Sequence, residues 1–427
     1  MTFDGSATVW YRGGILGLRA LAWSTCIAIL ITSCTAAVSK SPTAGSVPVN
    51  YRPSIDVASH CPQLRIAIIN GVNFHFEVVS GFLHLLQPLG EHLHIFLSPY
   101  ARTANFDGAY NLIRWTRGVL HRTDQNVSQL HMQADIAIVV SPDYELPTVA
   151  TLLQAMRPCL TISMVHNADF QSMAQLLALA PRMQLLSLAP HVATALAART
   201  HQEVEWMQPI YPVPQTPDCS HQPPGQLMGM CLRGFAMQGK FSNLRRNYSA
   251  IWQQIISRLD QINDPQVGKV FHMNVLGKGP DRLALPPELR PHVTVHRRLP
   301  YRAFYAVIAK NVALVPSLAN PSYFTTKSSS TIMTSLQTGV PVIATKRLLE
   351  AFSFLTPDAV FLQDDGEEEI DVMLRVARMP AADILKTRKA LALLRERMND
   401  RAWAMLNGYV TTVCKDISAG KCPLPAA

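Results

Sequence analysis

A repeated alternation of short apolar runs with stretches of helical period constrains the fold more than any other feature. In the first half of the chain the apolar runs are Leu64–Asn70, His94–Ser98, Ala134–Ser141, Cys159–His166 and Met183–Ser187. Runs of this length without polar alternation are typical of strands buried on both faces of a parallel sheet. Because helical stretches separate them, the sequence predicts an α/β fold with right-handed crossovers.

The alternation is interrupted once and then starts again. Residues 208–225 contain six prolines, so no helix or central strand continues through them. After them, strands are predicted at Met228–Gly234, Val270–Gly277, Val293–His296, Asn311–Ser317, Val340–Thr345 and Val360–Leu362. We therefore predict two Rossmann-like domains, 63–215 and 216–427, with a ligand in the cleft between them at the carboxyl ends of the strands.

The amino-terminal 62 residues predict a membrane anchor. Residues 20–38 carry no charge, follow Arg12 and Arg19, and are long enough to cross about 30 Å of hydrocarbon. The positive-inside rule then predicts a cytosolic tail (1–19), a transmembrane signal anchor (20–38) and a stem (39–62). The predicted protein is single-pass, type II, and faces the lumen of the endoplasmic reticulum or Golgi. A cleaved signal of a secreted protein and an organellar transit peptide stay open as alternatives.

Cysteines and sequons fit an oxidising lumen. Glycosylation triplets begin at Asn126 and Asn247. Beyond the apolar span, six cysteines permit disulfides, and Cys414–Cys422 is the easiest local pair. There is no CxxC or Cys/His ligand spacing, and the acidic run 364–369 is typical of a solvated helix start, so we predict no metal site.

The formal charge of +9 favours anionic ligands. The basic residues are scattered, however, and the densest clusters, Arg245-Arg246 and 296–298, lack the interleaved aromatic residues of a nucleic-acid platform. A phosphate or diphosphate is therefore the predicted partner, and nucleic acid is not.

The strongest local pattern is Lys327 followed by Ser328, Ser329, Ser330 and Thr331 at the start of a predicted helix. Unpaired backbone N–H groups at such a helix start attract a phosphate, and Lys327 adds a positive charge. The alternative is that Ser and Thr only cap the helix.

Four segments of the second half, taken in order, resemble the nucleotide-binding domain of GT-B glycosyltransferases. They are Gly239-Lys240 after one strand, Gly277-Lys278-Gly279 after the next, Pro316-Ser317 at a third, and Gly339 with Pro341-Val342 closing a helix. The first half resembles the family by layout. The resemblance implies that Gly239, Lys240, Gly277, Lys278, Lys327, Ser329, Ser330 and Thr331 bind a nucleotide-sugar donor.

One departure from the family affects activity more than fold. Retaining members carry two glutamates eight positions apart, and the matching positions here are Thr326 and Thr334. A threonine hydroxyl supplies no charge in place of a carboxylate.

Three first-half residues are candidates for catalysis. His75 and Glu77 follow the first strand, and His166 ends a later one, so all three are expected at the cleft. Each is able to bind an acceptor hydroxyl or act as a base, and each also fits an ordinary structural role.

The predicted function is transfer of a sugar from a nucleotide-diphosphate donor to a glycan, lipid or protein acceptor, without cofactor or metal. A GT-B-like binding or scaffold protein without turnover is the alternative, and a two-lobed solute-binding protein is a third.

Overall fold

A computed structural model of the chain describes residues 61, 63–102, 112–125, 132–213, 219, 227–279 and 283–422. The predicted cytosolic tail, the predicted anchor, nearly all of the predicted stem and the sequon at Asn126 lie outside these residues. Among the helices that are described, none combines the length and apolarity needed to span a membrane.

The first lobe is built on a seven-stranded parallel sheet with the order β3-β2-β1-β4-β5-β6-β7. Its strands are β1 Ile66–Asn70, β2 Leu93–Leu97, β3 Val119–Arg122, β4 Ile136–Val140, β5 Leu160–Val165, β6 Met183–Ser187 and β7 Glu205–Trp206. Every residue of β1, β4 and β5 is buried, as the unbroken apolar runs predicted. All five predicted strands of this half are confirmed within a few residues.

Helices cover this sheet. They are α1 Phe76–Leu86, α2 Leu146–Met156, α3 Met173–Leu177 and α4 Pro190–Thr200, with 3₁₀ turns at Gln87–His92 and Pro99–Arg102. Helix α1 buries Phe76, Val79, Phe82 and Leu86, residues that recur at helical spacing. It ends at a 3₁₀ turn that contains Pro88, whose missing N–H cannot continue the helical ladder.

The second lobe repeats the scheme with six parallel strands. They are β8 Phe235–Lys240, β9 Met273–Lys278, β10 Val293–Arg297, β11 Ala313–Leu314, β12 Ile343–Thr345 and β13 Phe361–Gln363. The first four form a sheet of order β10-β9-β8-β11, and β12 pairs with β13. A single parallel bridge from Leu314 to Val342 connects the two pieces.

The remaining helices are α5 Tyr248–Ile256, α6 Leu259–Ile262, α7 Pro265–Gly268, α8 Tyr301–Ala309, α9 Ser330–Thr338, α10 Lys346–Ala351, α11 Glu369–Ala377 and α12 Ala381–Ser418. Three 3₁₀ turns occupy Pro287–Leu289, Pro321–Phe324 and Pro357–Ala359. The side chain of Asn247, in the second sequon, caps α5 by accepting from the Ala250 N–H at 3.2 Å.

The predicted strand Met228–Gly234 is wrong. Leu227–Cys231 forms a wide turn, and β8 begins only at Phe235. Gly229 and Gly234 both have φ of 87°, a region that interrupts a strand. A Cβ at Gly234 would lie 2.4 Å from the His272 carbonyl oxygen, so the chain approaches its neighbour too closely here for a side chain.

Helix α12 packs against both lobes. Near its start, Arg388 donates to the Asn311 and Ala309 carbonyls of the second lobe. In its middle, Asn399 accepts from the Ile210 N–H at 2.8 Å and donates to the Ile210 carbonyl at 2.9 Å. Near its end, Tyr409 donates to Glu205 of β7. The largest apolar core accordingly runs through both lobes and this helix.

The predicted pair Cys414–Cys422 is wrong. The disulfides are Cys159–Cys422 and Cys219–Cys231, whereas Cys61 and Cys414 are buried free thiols. The reason is that α12 continues through Cys414 to Ser418. Cys414 therefore stays on the buried face of a helix, and the chain beyond the helix carries Cys422 to the start of β5.

Candidate functional site

The carboxyl ends of the first-lobe strands meet the start of α9. The residues after β5 run antiparallel to the residues before α9, with a bridge between Asn167 and Lys327. The Ala168 N–H donates to the Thr326 carbonyl at 2.8 Å, and the Ser328 N–H donates to the His166 carbonyl at 3.1 Å. These bonds bring the predicted residues His166 and Lys327 to the same junction between the lobes.

Two imidazoles and one hydroxyl form a compact cluster on the first-lobe side. His75, Ser141 and His166 follow β1, β4 and β5, which are neighbours in the sheet. His75 and Ser141 have left-handed φ values of 61° and 59°. The Ser141 Oγ lies 2.5 Å from the His75 Nδ1 and 3.3 Å from the His166 Nδ1. The two rings stack with centroids 3.9 Å apart and an interplanar angle of 7°.

Both imidazoles are neutral at physiological pH. Burial lowers the pKa of His166 to about 3, against a smaller opposing effect of a hydrogen bond to the Met164 carbonyl. Burial also holds the pKa of His75 well below its usual range, and the charges of His166 and Arg245 add to the effect. Neutral imidazoles offer one N–H and one lone pair each, which suits them to hydroxyl binding or proton transfer.

The predicted residue Glu77 lies where α1 meets the second lobe. The Tyr301 hydroxyl of α8 donates to the Glu77 Oε2 at 3.5 Å, and the Gln337 amide of α9 donates to the Glu77 carbonyl at 3.3 Å. Burial raises the pKa of Glu77, while Tyr301 and the positive charge of Lys278 oppose the shift. Glu77 thus contacts two helices of the second lobe, and the charge of Lys278 affects the pKa of its carboxyl group.

Two glycines let the ends of β8 and β9 approach each other. Gly239 pairs with Gly277, and Lys240 pairs with Lys278. A Cβ at Gly277 would lie 1.9 Å from the Gly239 carbonyl oxygen, and Gly239 has a φ of 143°. No other residue fits such a backbone. The two exposed lysines therefore stand side by side at the carboxyl edge of the second sheet.

Arg246 holds the glycine turn against α9. Its side chain is 2% exposed. The guanidinium donates to the Gln238 carbonyl at 3.2 Å and to the Thr331 Oγ1 at 2.9 Å, and it lies over the ring of Tyr323. A planar guanidinium suits this multiple contact better than a lysine.

The start of α9 carries hydroxyls that do not cap it. Ser329 is the N-cap residue, but its side chain makes no capping bond, and its Oγ is buried without a partner within the described part of the chain. The Gln238 amide donates to the Ser330 Oγ at 3.4 Å and to the Thr331 Oγ1 at 3.2 Å. The simple capping interpretation of this segment is therefore wrong for Ser329.

The two threonines at the positions of the family's glutamates have different environments. The Thr326 Oγ1 donates to the Asp169 Oδ2 at 2.8 Å, so a carboxylate from the first lobe lies beside that position. Thr334 is a residue of α9 and is buried, with 5% of its surface exposed. Within the described ranges, no group of three or more His, Cys, Asp or Glu side chains is placed to hold a metal ion.

Sequence reasoning missed four residues of this region: Ser141, Asp169, Gln238 and Arg246. Ser141 and Asp169 follow predicted strands, so the rule that ligands bind at the carboxyl ends of strands was an available signal. Gln238 and Arg246 flank the glycine turn, and only the fold shows that their side chains reach α9.

A surface cavity of about 550 Å³ lies elsewhere, at the amino end of the second sheet. Its lining includes Arg233, His272, His296 and Lys310 but no predicted site residue. The site is thus defined by convergent side chains and not by this cavity.

Neither protein-family profiles nor curated proteins give a match to this chain. Solved structures do. A glycosyltransferase from Rickettsia africae aligns over 83% of this chain and 99% of its own, with 10% identity and a TM-score of 0.56. HepE of Anabaena, solved with UDP-glucose, aligns over 83% of this chain and 100% of its own, with 13% identity and a TM-score of 0.52.

An α-glucosyltransferase solved with UDP and a DNA 13-mer aligns over 82% of this chain and 99% of its own, with 10% identity and a TM-score of 0.52. At such low identities the likeness concerns the fold. The chain has a mixed α/β fold with parallel sheets, similar to that of GT-B glycosyltransferases.

Proposed function

We propose that the protein is a glycosyltransferase that uses a nucleotide-diphosphate sugar as donor and a glycan, lipid or protein as acceptor. The observation that carries the proposal is the meeting of two chemically different surfaces. At the junction between the lobes, the start of α9, with Lys327 and the unpaired Ser329 hydroxyl, meets the end of β5, where the neutral imidazole of His166 stacks on that of His75. HepE and the α-glucosyltransferase, which share the fold, were solved with UDP-glucose and UDP.

The donor diphosphate is assigned to the second lobe. Lys240 and Lys278 supply charge from adjacent strand ends, and the start of α9 supplies backbone N–H groups and hydroxyls. Gly239 and Gly277 let the two strand ends lie close together, which brings Lys240 and Lys278 side by side. Lys327 adds a third cation beside α9.

In this proposal the chemical step is an exchange of a sugar between two oxygens. The bond from the sugar carbon to the diphosphate oxygen breaks, and the diphosphate leaves with the bonding electrons. The acceptor oxygen forms the new bond and releases its proton to a base of the first lobe. Preorganised cations stabilise the charge on the leaving diphosphate, which is the larger of the two contributions in sites of this kind.

A binding protein without turnover is the second candidate. It is favoured by Thr326 and Thr334, which stand where retaining enzymes carry glutamates. Asp169 beside Thr326 supports the enzyme instead, because it returns a carboxylate to one of the two positions.

Binding and turnover separate these candidates. The full-length protein is titrated with UDP, GDP and ADP by calorimetry, and donor sugars are then tested for hydrolysis and transfer. The Lys240→Ala/Lys278→Ala double variant should weaken nucleotide binding, whereas Lys269→Ala, an exposed lysine distant from the glycine turns, should not. Binding without turnover supports the second candidate. No binding of any nucleoside diphosphate contradicts both.

We also propose a location in the lumen of the endoplasmic reticulum or Golgi, behind an anchor at residues 20–38. The pairs Cys159–Cys422 and Cys219–Cys231 support an oxidising compartment. Protease protection of tagged protein in intact microsomes, with detergent-opened microsomes as control, tests the orientation. Digestion of the lumenal part in intact vesicles would contradict it.

A further inference from the structure

One serine hydroxyl lies between two imidazole nitrogens, which limits where the protons can be. Ser141 Oγ is within hydrogen-bond distance of the Nδ1 atoms of both His75 and His166. Ser141 is 1% exposed, and β4 delivers it between the ends of β1 and β5. A hydroxyl has a single proton to donate, so it donates to one ring and accepts from the other.

The environment of His166 decides which ring receives the proton. His166 places its Nδ1 3.3 Å from the Ser141 Oγ. Its Nε2 is buried and has no partner among the residues described, so Nδ1 carries the donated hydrogen. The same Nδ1–H faces Ser141, whose own proton therefore goes to the His75 Nδ1 at 2.5 Å. His75 then carries its hydrogen on Nε2.

We propose that Ser141 is a positioning residue that gives the two stacked histidines opposite tautomers. His166 keeps its Nε2 lone pair inside the fold, and His75 carries an N–H at Nε2. The catalytic consequence rests on the proposed function: the Nε2–H of His75 is a donor suited to the oxygen of an acceptor hydroxyl, and the neutral His166 ring stacks on it at 3.9 Å.

The tautomers are measurable without any activity. The full-length protein, labelled with ¹⁵N-histidine, is examined by two-bond ¹H–¹⁵N correlation NMR at pH 7, with His75→Gln and His166→Gln variants for assignment. We expect the hydrogen on Nδ1 in His166 and on Nε2 in His75. Ser141→Ala should return the His75 ring to a mixture of tautomers.

Ser187→Ala is the matched control, because Ser187 is a buried serine that bonds to a backbone carbonyl after another strand. It should change neither tautomer. Identical tautomers in wild type and Ser141→Ala, or the same tautomer in both histidines, would overturn the assignment. If transfer is observed, Ser141→Ala should lower kcat at least tenfold with little change in the donor KM. If the protein binds no nucleoside diphosphate, the proposed function is contradicted, but the tautomer assignment by NMR still stands.

A separate cluster of cysteines lies at the opposite, amino-terminal edge of the first sheet. Cys61 precedes β1, and Cys159 immediately precedes β5. The end of α12 meets this edge, where Cys422 is bonded to Cys159 and Arg182 pairs with Asp416 at 2.7 Å. Cys61 and Cys414 are both buried, at 8% and 6% exposure, in the same apolar core. Burial and the neighbouring Cys61 side chain raise the pKa of the Cys414 thiol, so the two cysteines are neighbours.

We propose that Cys61 and Cys414 form a third disulfide, which attaches the segment before β1 to α12. A low-molecular-weight disulfide such as oxidised glutathione is the oxidant. One cysteine thiolate displaces a glutathione thiolate to give a mixed disulfide, and the second displaces the other glutathione. Two cysteine thiols are oxidised, and one glutathione disulfide is reduced to two thiols. Burial raises the pKa of Cys414 to about 12, so the bond forms during folding, before the pair is enclosed.

Tryptic mapping of the non-reduced, alkylated full-length protein from an oxidising secretory host separates the possible pairings. Cleavage at Lys415 and Lys421 places Cys414 in peptide 402–415 and Cys422 in peptide 422–427, while Cys61 falls in 41–65. We expect a crosslinked ion of 41–65 with 402–415 that disappears on reduction. Alkylated Cys61 and Cys414 in the same digest that contains the intact Cys219–Cys231 crosslink would overturn the proposal.

The single variants provide a second measurement. Cys61→Ser should leave one newly alkylated residue, Cys414, and Cys414→Ser should leave Cys61. The bond between Cys159 and Cys422 should persist in both. If either variant fails to accumulate, the wild-type map still decides the pairing.

Discussion

The two lobes use parallel strands in the same way but present opposite chemistry at their carboxyl edges. The first lobe places neutral imidazoles there, and burial keeps them uncharged. The second lobe places exposed lysines on glycine turns, braced by a buried arginine. The difference shows that one architecture can present buried neutral imidazoles at one sheet edge and exposed cations at the other.

The largest expected effect is that of replacing Arg246, the buried residue that holds the glycine turn against α9. Arg246→Met removes charge-assisted hydrogen bonds to the Gln238 carbonyl and the Thr331 hydroxyl from a buried site, so the free energy of unfolding should fall by about 3 kcal/mol. Nucleotide affinity should fall with it, because the glycine turn loses its support. Chemical denaturation measures the first and calorimetry the second. Arg245→Met, at an exposed neighbour, should change stability little, and equal losses would contradict the role given to Arg246.

A smaller effect is expected for the exposed cations. Lys278→Gln should raise the Kd for a nucleoside diphosphate about tenfold, equivalent to about 1.4 kcal/mol, without lowering stability. The salt dependence of binding should weaken as well, because one charge fewer faces the ligand. Titrations at two ionic strengths test this. If the Kd is unchanged in both Lys278→Gln and Lys240→Gln, the carboxyl edge of the second sheet does not bind the anion.

The pH dependence of stability tests the imidazole side. The folded pKa of His166 is about 3, below its ordinary value of 6.5, so between these values the unfolded chain binds more protons than the folded one. Stability is therefore complete above pH 6.5 and decreases as the pH falls. His166 should account for about 1 kcal/mol of the loss between pH 6 and pH 5. Denaturation of His166→Gln at both values should show a smaller loss, and an unchanged slope would refute the assignment.

The smallest effect is expected at the contact between the lobes. Tyr301→Phe loses a 3.5 Å hydrogen bond to Glu77, so stability should change by about 0.5 kcal/mol or less. Tyr305→Phe, which loses a 2.9 Å bond to Gln337 in the core, should cost more. Thermal unfolding of the two variants gives the comparison. A larger loss of stability in Tyr301→Phe than in Tyr305→Phe would contradict this ranking of the two hydrogen bonds.

The sequence predicted the first sheet better than the second for a physical reason. Met183–Ser187 was predicted to the residue. The β1, β4 and β5 runs contain their strands, because every side chain in those three strands is buried. Asn311–Ser317 shrinks to Ala313–Leu314, since backbone pairing there ends where the chain turns towards α9. Apolarity reports burial, and it does not report where hydrogen-bonded pairing stops.

The sequence predicted which positions lie at the site, but not which of their side chains contact each other. The rule that ligands bind at strand ends pointed to His75 and His166, yet their joint bond to Ser141 depends on the sheet order β1-β4-β5, which one sequence does not reveal. Likewise, no local spacing could pair Cys159 with Cys422 across 263 residues. Contacts between distant segments are decided by tertiary packing.

Helix α12 spans 38 residues, a stiff rod of about 57 Å. Arg388 fastens one end to the second lobe, and the disulfide at Cys422 fastens the other end to the first. Since a helix resists stretching far more than bending, we expect any opening of the cleft to bend this rod near its middle, where Asn399 bonds to the connecting segment at Ile210.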